Sequence, residues 1–121
     1  MRLEIGSFIE SGNLEKERLI LIAKEDVDIG SYVVLRSKRG NTGNPISGSK
    51  SAYWLPDVEL KAGDIVALYS KDGSPRKKTL ESGKKVHFYY WKLKNPIWGE
   101  GSANTAVLLE IGKWSHKSPV V

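Results

Sequence analysis

An all-β fold, built as a sandwich or a barrel, is the expectation from three features of this 121-residue chain. Its apolar stretches run for only four or five residues between turn-forming residues, the mark of strands rather than long helices. Twelve glycines and five prolines supply many turns, and four tryptophans supply large core anchors. There is no cysteine, which excludes a disulfide scaffold, a thiolate zinc site and a cysteine nucleophile. With 40% hydrophobic and 27% charged residues the composition is that of a globular domain. A chain of this length buries roughly two-thirds of its unfolded surface and suits one domain over residues 1–121.

The strands follow in order. Leu3 and Ile5 alternate with Arg2 and Glu4. Leu14 to Arg18 are helix formers that Asn13 could cap, but Leu19-Ile20-Leu21-Ile22 would leave such a helix without a polar face. Two β-branched residues, closed by Lys24-Glu25-Asp26, make that run a buried strand. Tyr32 to Leu35 form the next strand, after the turn Ile29-Gly30-Ser31. Ile65 to Tyr69 follow the turn Ala62-Gly63-Asp64, Val86 to Trp91 are β-branched and aromatic, and Thr105 to Ile111 close the set. No repeat of 20 to 50 residues and no heptad pattern interrupts this order.

Charge is unevenly spread within a net +5. Residues 1–35 carry four basic and seven acidic side chains, whereas residues 36–50 hold Arg36, Lys38, Arg39 and Lys50 and no acid. Residues 71–94 hold eight basic side chains against Asp72 and Glu81. The excess falls in two stretches that read as loops, near 36–50 and 70–85. A localised basic surface attracts polyanions; the plainer reading is a pair of solvated loops that keep the chain soluble. The opening Met1–Gly6 has no apolar core of a secretory signal, and no run approaches a membrane span, so a cytoplasmic location is expected.

Two stretches carry a family resemblance. Leu60-Lys61-Ala62-Gly63, leading into Asp64 to Tyr69, resembles the "LKAG" turn and buried strand of lamin tail domains. Asn95-Pro96-Ile97-Trp98-Gly99-Glu100-Gly101-Ser102 resembles their "N-x-W-G-x-G-N/S" corner, with one more residue between Asn and Trp. Thr105 to Leu109 is similar to the strand that follows, and Glu17 to Leu35 to the family's strand, acidic turn, glycine and strand. The resemblance spans about residues 15–112. It implies an immunoglobulin-like β-sandwich with Gly63 in a positive-φ turn and with Trp98, Gly99 and Gly101 at a buried corner. Inner-facing positions are then Val33/Leu35, Ile65/Ala67 or Val66/Leu68, and Val107/Leu109. The basic Pro75–Lys85 segment is an insertion relative to the family.

Candidate chemistry is sparse. His87 and His116 are the two histidines; a general acid–base pair needs them close together, and nothing in the sequence does that. Gly43 to Ser51 has the look of a phosphate-binding loop, but its spacing is off by one and Tyr53-Trp54-Leu55-Pro56 follows where a helix must start. Its amides and Lys50 could still touch a phosphate nonspecifically. Asp26 and Asp28, or Asp57 with Glu59 and Asp64, lack the spacing of a compact cation loop and read as turn chemistry.

A mixture of basic and aromatic residues from Arg76 to Trp98 is the stronger signal, because cations neutralise phosphates and aromatic faces stack bases. Strand alternation sends half of Phe88 to Trp91 into the core, so two or three aromatics at most face outward. The expected function is a non-enzymatic module that docks a protein partner or self-associates through a sheet edge or loops. The alternative is contact with nucleic acid through Arg36, Lys38, Arg39, Lys50, Arg76, Lys77, Lys78, Lys84 and Lys85; a small nuclease is a distant third. Lamin tails and their bacterial relatives, associated with chromatin, surface or nucleic-acid-processing contexts, are similar to both of the first two readings. No cofactor and no metal is expected.

Overall fold

The computed structural model describes residues 1–120. It is all-β, with ten strands, one 3-10 turn and no α-helix among the described residues. Five strands form the larger sheet: β1 (Leu3–Ile9), β2 (Arg18–Ala23), β7 (Ile65–Tyr69), β9 (Lys85–Tyr90) and β8 (Arg76–Thr79), in that spatial order. A second sheet has the order β10 (Asn104–Glu110), β4 (Tyr32–Lys38), β5 (Ser51–Trp54). A short pair, β3 (Val27–Asp28) with β6 (Glu59–Leu60), stands beside them. Pairing is antiparallel except between β7 and β9, because the chain leaves β7, forms the edge strand β8 and returns between them.

Strand alternation builds the core. Leu19, Leu21 and Ala23 of β2 are buried while Arg18, Ile20 and Ile22 between them are half-buried on the other face. Val66 and Leu68 of β7 and Tyr89 of β9 continue that inner face and meet Tyr32 and Val34 of β4 in one hydrophobic cluster. Ala106 and Leu108 of β10 pack against it, and Leu55, Leu60, Val27 and Ile29 close its ends. A bulge between Ile5 and Phe8 shifts the β1 register by one residue. It brings Phe8, which simple alternation would turn away, opposite Leu19 and onto Trp98, with ring centroids 5.2 Å apart.

Three expectations need correction. Val33 and Leu35 are not the inner residues of β4, nor Val107 and Leu109 those of β10. Tyr32 and Val34 are fully buried instead, and Leu109 is 43% exposed. The run Tyr32-Val33-Val34-Leu35 is apolar at every position, so its pattern cannot select a face; pairing of Tyr32 with Glu110 and Val34 with Leu108 does. The stretch 70–85 is not one loop: Arg76–Thr79 is strand β8, paired with Lys85–Phe88. Finally, Arg36 and Lys38 belong to β4, and only 39–50 forms the connection to β5, where Arg39 bridges Pro45.

The corner read from Trp98 is tied by a side chain no sequence pattern flags. Glu17 is fully buried. Its Oε1 accepts from the Gly12 amide at 2.8 Å and the Trp98 amide at 3.0 Å. Oε2 accepts from the Ile97 amide at 2.9 Å and from the Ser70 hydroxyl. Asn104 Nδ2 donates to the Ile97 carbonyl at 2.6 Å and locks the far side of the corner. Trp98 is thereby held between Phe8 and Trp91, and Trp91 continues to Tyr53 at 6.0 Å. Gly101 at φ +78° completes the turn, and Gly99 lies close to Gly12.

Candidate nucleic-acid interface

Residues opposite one another in register share a face of the sheet. Across the larger sheet the pairs Arg18–Tyr69 and Tyr69–Tyr90 put one cation and two phenol rings in a row. The next row is Ile20, Ala67, Phe88 and Arg76, and the third is Ile22, Ile65, Val86 and Lys78. All lie on the face turned away from the core, since their strand neighbours Leu19, Leu21, Val66, Leu68 and Tyr89 are buried. Tyr69, Phe88 and Tyr90 are half-buried, so part of each ring stays at the surface.

The rings form a continuous array. Tyr69 stacks on Tyr90 at 5.4 Å between centroids and 21° between planes, and lies 6.3 Å from Phe88. Arg18 and Lys71 each hold their charge 5.5 Å from the Tyr69 centroid, and Arg76 sits 3.8 Å over Phe88. A guanidinium laid flat on a ring exposes its own second face to a further planar group. The backbone at Gly73 crosses close to Tyr90: a Cβ there would meet the ring at 2.5 Å, so glycine is required for that approach.

The cations fall into three groups. Arg76 and Lys78 stand on the outer, aromatic face. Lys77 alternates to the inner side opposite His87, and Lys84 and Lys85 flank the same side. Among the described residues the ion pairs engage Lys24, Lys61 and Lys71, so these five cations are unpaired by carboxylates. The 36–50 group lies on the other sheet. Lys38 Nζ donates to the Ser102 carbonyl at 2.9 Å, and Lys50 Nζ donates to its own loop at Ser47 and Ser49. Arg36 shares the inner-face parity of Tyr32 and Val34 and keeps its Nε buried. The two basic stretches thus belong to different sheets.

Gly63 lies at φ +92° as the turn reading requires, and a Cβ there would meet Lys84 Cε at 2.8 Å. Asp64, next to it, is buried and accepts from the Lys61 amide at 2.9 Å and the Lys85 amide at 3.0 Å. Burial pushes its carboxyl up, but those two hydrogen bonds and the nearby His87 and Lys84 outweigh it and hold the group below the usual range. His87 is pushed down, chiefly by burial and further by Lys77 and Lys85, against the opposing pull of Asp64. His116 lies instead beside Trp114, which meets Trp54 edge-on at 5.2 Å. The structure therefore does not pair the two histidines.

Of the other carboxylates singled out in the sequence, Glu59 lies in β6, and Asp26 and Asp28 serve turns. Asp26 accepts from the Ala62 amide at 2.9 Å and Asp28 from the Gly30 amide at 2.9 Å. The glycine-rich 43–51 stretch opens no helix and leads into β5. No family model, curated protein or solved structure matches the chain.

Proposed function

We propose that the chain is a non-catalytic module that binds single-stranded nucleic acid across the outer face of its five-stranded sheet. The observation that carries this reading is the Tyr69–Tyr90–Phe88 array set among Arg18, Lys71, Arg76 and Lys78. Sequence-tolerant binding of single strands needs a basic track for phosphates and aromatic faces for bases, and this face supplies both. A duplex offers no unstacked base, so the aromatic component favours single strands. The test is anisotropy of labelled single-stranded oligonucleotides at two salt concentrations, with duplex of the same sequence as comparison.

The immunoglobulin-like sandwich of the lamin tail type belongs to the same proposal. Support comes from two sheets around one core, Gly63 in a positive-φ turn and Trp98 buried at its corner. A protein-docking role is the second reading, favoured by one specific feature. Trp54, Leu109, Ile46 and Trp114 expose between 43% and 63% of their surface on or around the smaller sheet. Self-association through β8 is disfavoured, because all four of its residues are exposed and three are cationic, which repels a second copy of the same edge.

A further inference from the structure

On the inner side of β9, away from the aromatic array, two hollows of about 460 Å³ each open on either side of His87. They share Val58, Lys77 and His87, so they form one cleft with two unlike halves. One half is walled by Tyr53, Pro56, Pro75 and Tyr89, planar or ring-shaped groups that suit a flat aromatic ligand. The other is walled by Lys77, Lys84 and Lys85 together with Ser82 and Gly83 of the β8–β9 turn, donors that suit a phosphate and outnumber the carboxylates Glu59 and Asp64 on the same wall; Lys84 Nζ also donates to the Ala62 carbonyl at 2.8 Å.

His87 stands at the junction. It is only 7% exposed, and its Nε2 is buried with no hydrogen-bond partner in the protein. An orphaned ring nitrogen costs stability unless something else meets it. Neighbouring Asp64 accepts a backbone amide on each oxygen, so its carboxylate is held in place beside His87 and Lys84.

We infer that this cleft is a nucleoside monophosphate site, with the base between Tyr53 and Tyr89, the phosphate on Lys77, Lys84 and Lys85, and His87 Nε2 bonded to the nucleoside between them. The site does not rest on the outer-face reading, because Phe88 and Tyr90 point the other way along β9. The ligand is either a free nucleotide or the phosphorylated end of a strand, which share this chemistry.

Titration of the full chain with AMP, adenosine and inorganic phosphate, followed by amide chemical shifts, tests it. AMP is expected to shift the amides of 76–78 and 82–89 saturably, and to bind at least about tenfold more tightly than adenosine or phosphate alone. Lys77→Ser and Lys85→Ser, both at exposed positions, are each expected to weaken AMP about tenfold while leaving the fold intact. His87→Gln supplies a second readout at the junction and is expected to weaken AMP and adenosine alike. A 5′-phosphorylated oligonucleotide that displaces AMP identifies a strand end as the ligand; one that does not identifies a free nucleotide. The inference is overturned if AMP at about 5 mM shifts nothing, a concentration that would more than half-fill a site with a Kd of about 1 mM. It is equally overturned if phosphate alone binds as well as AMP, or if neither lysine variant alters binding. Phe88→Leu, on the outer face, is expected to leave AMP binding unchanged, so failure of the two sites can be told apart.

Discussion

The amide of Trp98 donates to Glu17 Oε1 at 3.0 Å, joining residues 81 positions apart inside the core. The same carboxylate holds Gly12, Ser70 and Ile97, so one acidic side chain gathers the β1–β2 turn, the end of β7 and the tryptophan corner. A buried charge is tolerable only when its oxygens are fully hydrogen-bonded, and here each oxygen accepts two bonds. This knot fixes the end of β7 at Tyr69 and thereby one end of the aromatic array.

Replacing Glu17 by Ala removes the acceptor of three backbone amides, those of Gly12, Ile97 and the buried Trp98. The expected loss is about 3 kcal/mol or more of unfolding free energy, read from urea denaturation. Glu17→Gln keeps the volume but puts an amide donor against N–H and O–H donors, so it is expected to rescue less than half of that loss.

Gly63→Ala meets both an unfavourable φ of +92° and the Lys84 side chain. A loss of about 1–2 kcal/mol is expected, by the same denaturation measurement. Lys84→Ala in the same chain relieves the contact but not the dihedral, and is expected to recover only part of it.

How much of this was legible in the sequence depends on what each element buries. The strands β2, β4, β7, β9 and β10 could be read because each carries an apolar run, and Gly63 and Trp98 because their local turns demand them. Strand β8 could not: Arg76, Lys77, Lys78 and Thr79 are exposed on both faces, so no hydrophobic period marks them and only pairing with β9 makes them a strand. Glu17 sits among helix formers, and its partners at 70, 97 and 98 are set by tertiary contact alone. The basic and aromatic residues were legible as an inventory, but their division between faces was not. It depends on the parallel register of β7 with β9, which sets Tyr69 against Tyr90.

Acid is expected to destabilise the fold in two steps. The folded pKa of His87 lies below its ordinary 6.5, so the unfolded chain takes up the proton first. Its contribution to stability is present above 6.5 and is lost as pH falls from there through the folded value. Asp64, also held below its ordinary 3.8, contributes above that value and loses its contribution as pH falls further. Thermal unfolding between about pH 7 and 2 should therefore show the upper step vanish in His87→Gln and the lower one weaken in Asp64→Asn.

The 36–50 cations lie on the other sheet from the aromatic array. Changing Lys38 and Lys50 to Ser together is expected to alter single-strand affinity by no more than about twofold at moderate salt, where charges beyond a Debye length are screened. Changing Arg76 and Lys78 to Ser is expected to weaken it at least about tenfold and to flatten its salt dependence.

The most direct measurement is fluorescence anisotropy of a labelled single-stranded oligonucleotide with the full chain, at about 50 and 200 mM salt, where counterion release acts strongly. Micromolar binding is expected at low salt, falling steeply with salt, exceeding binding to duplex, and weakening about five- to a hundredfold on Phe88→Ala or Tyr90→Ala, the range of a lost stacking contact. No binding at low salt, or binding that ignores both aromatic substitutions in folded variants, would contradict the single-strand reading and leave the exposed apolar surface around Trp54 as the working face.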